Sequence, residues 1–131
     1  MTSFIQDIPD MPPVAQKPFC HGVIAEGRFL FVSGQGPWDP TTNKFERGSI
    51  SAQTERTLAC IGRVLRAANA KPSDVVSMKV YLQPLTSETW AEMNVEFVKF
   101  FGVHKPARTA IGCTLLGLDV EMDAVVLLPE C

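Results

Sequence analysis

Apolar residues follow two different periods along this chain. Through 75–82, Val76, Met78, Val80 and Leu82 alternate with Ser77, Lys79 and Tyr81, as on a strand with one buried face. A shorter strand is predicted over Phe29–Ser33, with Leu30 and Val32 opposite Phe29 and Phe31, ended by Gly34-Gln35-Gly36-Pro37. Residues 50–69 read as a helix whose apolar stripe is Leu58, Ile61, Leu65 and Ala68, capped by Ser49 or Ser51. A second helix is predicted over 88–101, with Trp90, Met93, Phe97 and Phe101 as its stripe and Asn94 among them. Thr86 or Ser87 caps it, Glu88 suits its positive N-terminal end, and Gly102 ends it. Two strands follow, about 107–115 and 119–128, joined around Gly117. Residues 8–18 hold four prolines and read as an extended lead-in, and Asp39–Asn43 is a turn cluster.

Strand–helix alternation closed by a pair of strands predicts an α+β domain with its helices on one sheet face. The other face is then uncovered. Tyr81, Val125 and Leu127 place apolar surface there, the pattern of an oligomer interface.

At 131 residues the chain suits one domain, 1–131, able to hide roughly two thirds of its unfolded surface. A net charge of -2, with 12 scattered Lys and Arg, leaves no electrostatic footprint for nucleic acid. No apolar run approaches a membrane span. Met1 to Asp10 carries two acids and no basic stretch, so a cytoplasmic location without a secretory signal is expected. Cys20, Cys60, Cys113 and Cys131 form no C-x-x-C pair and read as reduced thiols. Cys60 and Cys113 fall inside expected elements, and the terminal Cys131 is expected to be mobile. His21 and His104 are isolated, so no metal site is expected.

Candidate chemistry begins at Lys105-Pro106-Ala107-Arg108-Thr109-Ala110-Ile111-Gly112. Period two puts Arg108, Ala110, Gly112 and Thr114 on one face, with open space expected beside the guanidinium. Its donor fork fits a carboxylate; the plainer reading is an Arg at a strand start snorkelling to water. Glu121 sits between Val120 and Met122. It is either a general base or one of a solvent-facing row with Asp119 and Asp123. Asn94, the polar exception on its helix stripe, either ties a loop or contacts ligand. Ser33-Gly34-Gln35-Gly36 offers backbone amides near a strand end.

Several motifs in order carry a resemblance: FVSGQGPWDP at 31–40, QTERTLACIGRVLRAANAKPSDVVSMKVYL at 53–82, MNVEFVKFFGVHKPAR at 93–108 and PARTAIGCTLLGLDVEMDAVV at 106–126. From about residue 14 to 127 the chain resembles the reactive intermediate deaminase (Rid, YjgF-like) family. That resemblance implies a chorismate-mutase-like fold, a mixed sheet with two helices on one face. It implies a homotrimer with active sites in clefts between subunits and no metal or organic cofactor. The implied activity is hydrolysis of 2-aminoacrylate-like enamines and imines to 2-keto acids and ammonia. Arg108 matches the family's carboxylate-binding Arg, and Glu121 its water-positioning acid. Ser33, Gly34 and Asn94 match pocket positions. Phe19 stands where many members carry Tyr, and Ala110 where many carry Cys. The stretch from Arg108 to Glu121 is about two residues shorter than usual, trimming the implied hairpin. Other readings are a non-catalytic regulator binding a small carboxylate and a 2-aminomuconate-type deaminase. A ribonuclease role, also attached to the family's name, is disfavoured by the acidic balance.

Overall fold

The computed structural model describes residues 2–130, so Cys131 lies outside the described residues. The strands are β1 (Thr2–Ile5), β2 (Gly22–Ala25), β3 (Phe29–Gln35), β4 (Trp38–Asp39) and β5 (Lys44–Phe45), then β6 (Val75–Leu82), β7 (Ala107–Gly112) and β8 (Val120–Leu127). Helix α1 spans Ile50–Ala67, a short 3-10 turn spans Pro72–Asp74, and α2 spans Ser87–Phe101. The main sheet has the order β3-β8-β6-β7. Two small ribbons, β1 with β2 and β4 with β5, stand apart from it. Among the described residues no helix is long and apolar enough to cross a membrane.

Ser49 caps α1, its side chain accepting from the Ala52 amide, and Thr86 caps α2 by accepting from the Thr89 amide. Gly102, at φ 62°, terminates α2 where a side chain would be strained. The helices bury Leu58, Ile61, Leu65, Met93, Phe97 and Phe101 against Met78, Val80 and Leu82 of β6 and Val120, Met122, Ala124 and Val126 of β8. Ala68 is only half-buried, while Gln53, Thr54 and Thr57 join the buried side of α1. The α+β architecture, with both helices on one face of a mixed sheet, is the expected one.

The expected hairpin between the last two strands does not form. β7 pairs parallel with β6, and β8 pairs antiparallel with β6 on its other side. β7 ends at Gly112 rather than 115, which leaves Cys113 beyond it, and residues 113–119 cross the end of β6. Seven residues are too many for a tight turn and enough to step over one strand. The crossing is pinned to the end of β6: the Cys113 amide donates to the Leu82 carbonyl at 3.1 Å, and the Gln83 amide to the Asp119 carbonyl at 3.0 Å.

The lead-in at 8–18 has no regular element, as expected, but β1 before it pairs with β2 beyond it. Partners so far apart in sequence leave no local signal. The sheet face away from the helices carries Phe29 and Phe31, 37% and 75% exposed, beside Tyr81, Val125 and Leu127.

Candidate functional site

β7 is an edge strand whose register sets the direction of Arg108. Arg108 pairs with Met78 and Ala110 with Val80, both buried under the helices. Arg108 therefore points into the helix layer, where α2 offers Trp90, Met93, Asn94 and Phe97 at helical spacing. Arg108 Nη1 donates to Asn94 Oδ1 at 2.7 Å and reaches Met93 Sδ at 3.6 Å. Three rings surround the guanidinium, with centroids at 5.0 Å (Phe19), 4.8 Å (Trp90) and 4.7 Å (Phe97). Arg108 Nε and Nη2 are buried without a hydrogen-bond partner. No carboxylate among the described residues is ion-paired with it. Burial pushes its pKa down to about 10.

Two expectations for Arg108 change. It does not snorkel to water, because the chain entering at Phe19 and the aromatic stripe of α2 close over it. Nor do its small strand neighbours leave a void. Ala110 packs against the core, and a Cβ on Gly112 would meet the Leu85 Cβ at 2.8 Å.

Glu121 pairs with Tyr81, whose side chain lies on the opposite face of β6 from Met78 and Val80. It belongs to the uncovered face. There a break in register between Val32 and Gln35 of β3 brings Gly34 against it. A Cβ on Gly34 would stand 2.7 Å from Glu121 Oε2, so glycine is what admits the carboxylate. Ser33 is exposed beside Gly34. On the same face the Tyr81 hydroxyl donates to Asp123 Oδ2 at 2.8 Å, which holds the tyrosine pKa above its ordinary value.

Asp119 does not share a solvent-facing row with Glu121; it precedes β8. Arg47 Nη2 donates to its Oδ1 at 2.7 Å and Gln53 Nε2 to its Oδ2 at 2.9 Å. Its amide donates to Gln53 Oε1 at 2.8 Å. The fully buried Gln53 thus anchors the crossover immediately before Glu121, a role with no local sequence signal.

The structure thus makes two clusters: Phe19, Asn94 and Arg108 with Ala110 on the helix side, and Ser33, Gly34 and Glu121 on the bare sheet face. One chain does not unite them. Trp90, Met93 and Phe97, read as core, also wall the guanidinium. A cleft of about 520 Å3 between the 15–18 segment and α2 touches Trp90 and Asn94, but Arg108 does not line it. Cys20, Cys60 and Cys113 are free thiols, and burial raises the pKa of Cys20. No group of three or more His, Cys, Asp or Glu among the described residues is placed to hold a metal ion.

Comparison with known proteins bears on the family and the fold. The model of a family described as Endoribonuclease L-PSP matches residues 9–128. A RutC family protein of Pyrococcus abyssi is 41% identical over 104 residues, 78% of this chain and 80% of that protein. The protein HMF1 of Saccharomyces cerevisiae is 33% identical over 127 residues, 95% of each. The crystal structure of YyfB of Yersinia pestis, a Rid family protein described as of unknown function, superimposes with a TM-score of 0.86 at 29% identity, covering 97% of this chain and 98% of that one. The chain belongs to the Endoribonuclease L-PSP family, the family of the RutC, YjgF and Rid proteins.

Proposed function

We propose that the protein hydrolyses small enamines and imines of 2-keto acids, releasing the keto acid and ammonia. The observation that carries this is Arg108, a cation with no anion and two buried, unpartnered nitrogens, Nε and Nη2. A charge in that position is costly unless something pairs with it. Nε and Nη2 form the edge of the guanidinium that takes a carboxylate through two parallel hydrogen bonds, once the half-buried rings of Phe19 and Trp90 that cover it move aside. Asn94 holds Nη1 and fixes the plane of the fork.

The reaction needs no redox partner. An enamine such as 2-aminoacrylate first takes a proton on carbon and becomes the imine. Arg108 holds the carboxylate and so fixes the neighbouring imine carbon. A water held by Glu121 attacks that carbon, and Glu121 relays the proton to nitrogen. The C–N bond then breaks, the water oxygen stays as the keto oxygen, and nitrogen leaves as ammonia. Because Arg108 and Glu121 face opposite sides of one sheet, the acid comes from a neighbouring copy. The working form in this reading is a homotrimer with clefts between subunits, and no cofactor takes part.

The same separation favours one other reading, a regulator that binds a small carboxylate without turning it over. Freshly generated 2-aminoacrylate decides between them, with pyruvate and ammonia release measured above the spontaneous rate. Deamination predicts catalysed release; carboxylate binding without it would establish the regulator. Cleavage of RNA by the purified protein is not expected, since a net charge of -2 with 12 scattered Lys and Arg offers the backbone no basic surface.

A further inference from the structure

All 2-imino acids share the carboxylate and the reacting carbon, so the side chain is what the walls around Arg108 select. Phe19 and Trp90 stand edge to face with centroids 6.4 Å apart, both half-buried. Phe97 is fully buried and closes the floor beneath the guanidinium. Beyond Trp90, a hollow of about 350 Å3 is lined by Leu85, Thr86, Ser87 and Trp90. Leu85, 40% exposed, also covers Gly112 on the face of β7 that carries Arg108 and Ala110. Of the polar groups here, Asn94 Oδ1 accepts from Arg108 and Thr86 Oγ1 caps α2, while the exposed Ser87 also lines the hollow. From Phe19 through Trp90 to Leu85 the surface beside the carboxylate fork is mostly ring and methyl.

We infer that the preferred substrates are 2-imino acids with a bulky apolar side chain, aryl or branched alkyl, laid along Phe19, Trp90 and Leu85; this rests on the deamination reading. An imine bearing only a methyl group would leave that surface wet. A larger side chain removes both surfaces from water, which along an open wall of this kind is worth roughly tenfold or more in kcat/KM. The chemistry is unchanged: the C=N bond becomes C=O with the oxygen of water, and both water hydrogens leave on nitrogen.

The test generates imines in place from alanine, leucine and phenylalanine with an L-amino acid oxidase and catalase. Semicarbazide competes for each imine, and hydrolysis by the protein is read as lost semicarbazone. The leucine- and phenylalanine-derived imines should exceed the alanine-derived one by about tenfold or more in kcat/KM. Trp90→Ala and Leu85→Ala should each bring that ratio several-fold closer to one. A merely structural defect would lower all three rates together, so equal losses in folded Leu85→Ala protein overturn the assignment of the wall. A wild-type protein that treats the alanine-derived imine as well as the others overturns the inference and leaves deamination standing. Hydrolysis of none of the three overturns both.

Discussion

Arg108 places a charge where charge is expensive, and its surroundings offset the cost only in part. Three ring faces and Asn94 stabilise the guanidinium, yet burial still lowers its pKa to about 10. The unfolded chain keeps this proton to higher pH than the folded one. From about 10 up to the ordinary arginine range the unfolded state therefore binds more protons, and this group makes stability rise with pH. At neutral pH it opposes folding. Arg108→Met fills the space among the rings without the charge, whereas Arg108→Ala leaves a hole there. Arg108→Met should keep unfolding free energy within about 1 kcal/mol of wild type or raise it. It should lower kcat/KM on an imine by about a hundredfold or more, as two charge-assisted hydrogen bonds are lost. Chemical denaturation and the imine assay measure the two. A loss of several kcal/mol would mean the arginine is structural. Carboxylate binding should also weaken as pH rises through about 10, where Arg108 gives up its charge. The residue types were legible here, an Arg two places from Ala and four from Gly on one strand face, but the open space expected beside it is filled by Leu85 and the core. Its partners were not legible, because Phe19 and Trp90 reach it from distant parts of the chain.

Among the elements, β3 decides where Glu121 can sit. Its regular alternation runs through Leu30 and Val32, then slips before Gln35, and the slip turns Gly34 toward the acid. Gly34→Ala should fold normally, since the atom its Cβ meets is the end of a flexible side chain that can swing aside. Melting temperature should move by only a few degrees, while kcat falls about tenfold or more as Glu121 leaves its place. Full turnover in Gly34→Ala would show that Glu121 need not stand where the structure puts it. Helix α2 was the more readable element. Its cap, its stripe and its end at Gly102 follow from spacing and from the left-handed backbone that glycine allows. The break in β3 was unreadable, because a bulge is set by the register of the partner strand and not by its own residues.

Across the whole molecule, the bare sheet face carries both Glu121 and the exposed rings of Phe29 and Phe31. Covering that face with further copies would bury the rings and bring an acid from one chain toward an arginine from another. Light scattering should find a trimer of the 14.4 kDa chain at micromolar concentration. Phe31→Glu, at a position 75% exposed in the single chain, should yield a folded monomer without imine hydrolysis. A fully active monomer would place the reaction within one chain and remove the shared cleft.

The sequence by itself determined the class of fold, the two helices with their caps, and the paired faces of β3, β6 and β8; it offered Arg108 and Glu121 as candidates, each with a plainer reading beside the functional one. These depend on periodicity and on local backbone chemistry, which neighbouring residues settle among themselves. Only the tertiary structure decided that β6 lies between β7 and β8, that Gln53 and Arg47 anchor Asp119, and that Arg108 is buried among rings while Glu121 faces the other way. Those outcomes depend on which strands pair and in what register. The free energy of such pairing comes from surface buried between segments far apart in sequence, so no local pattern carries it.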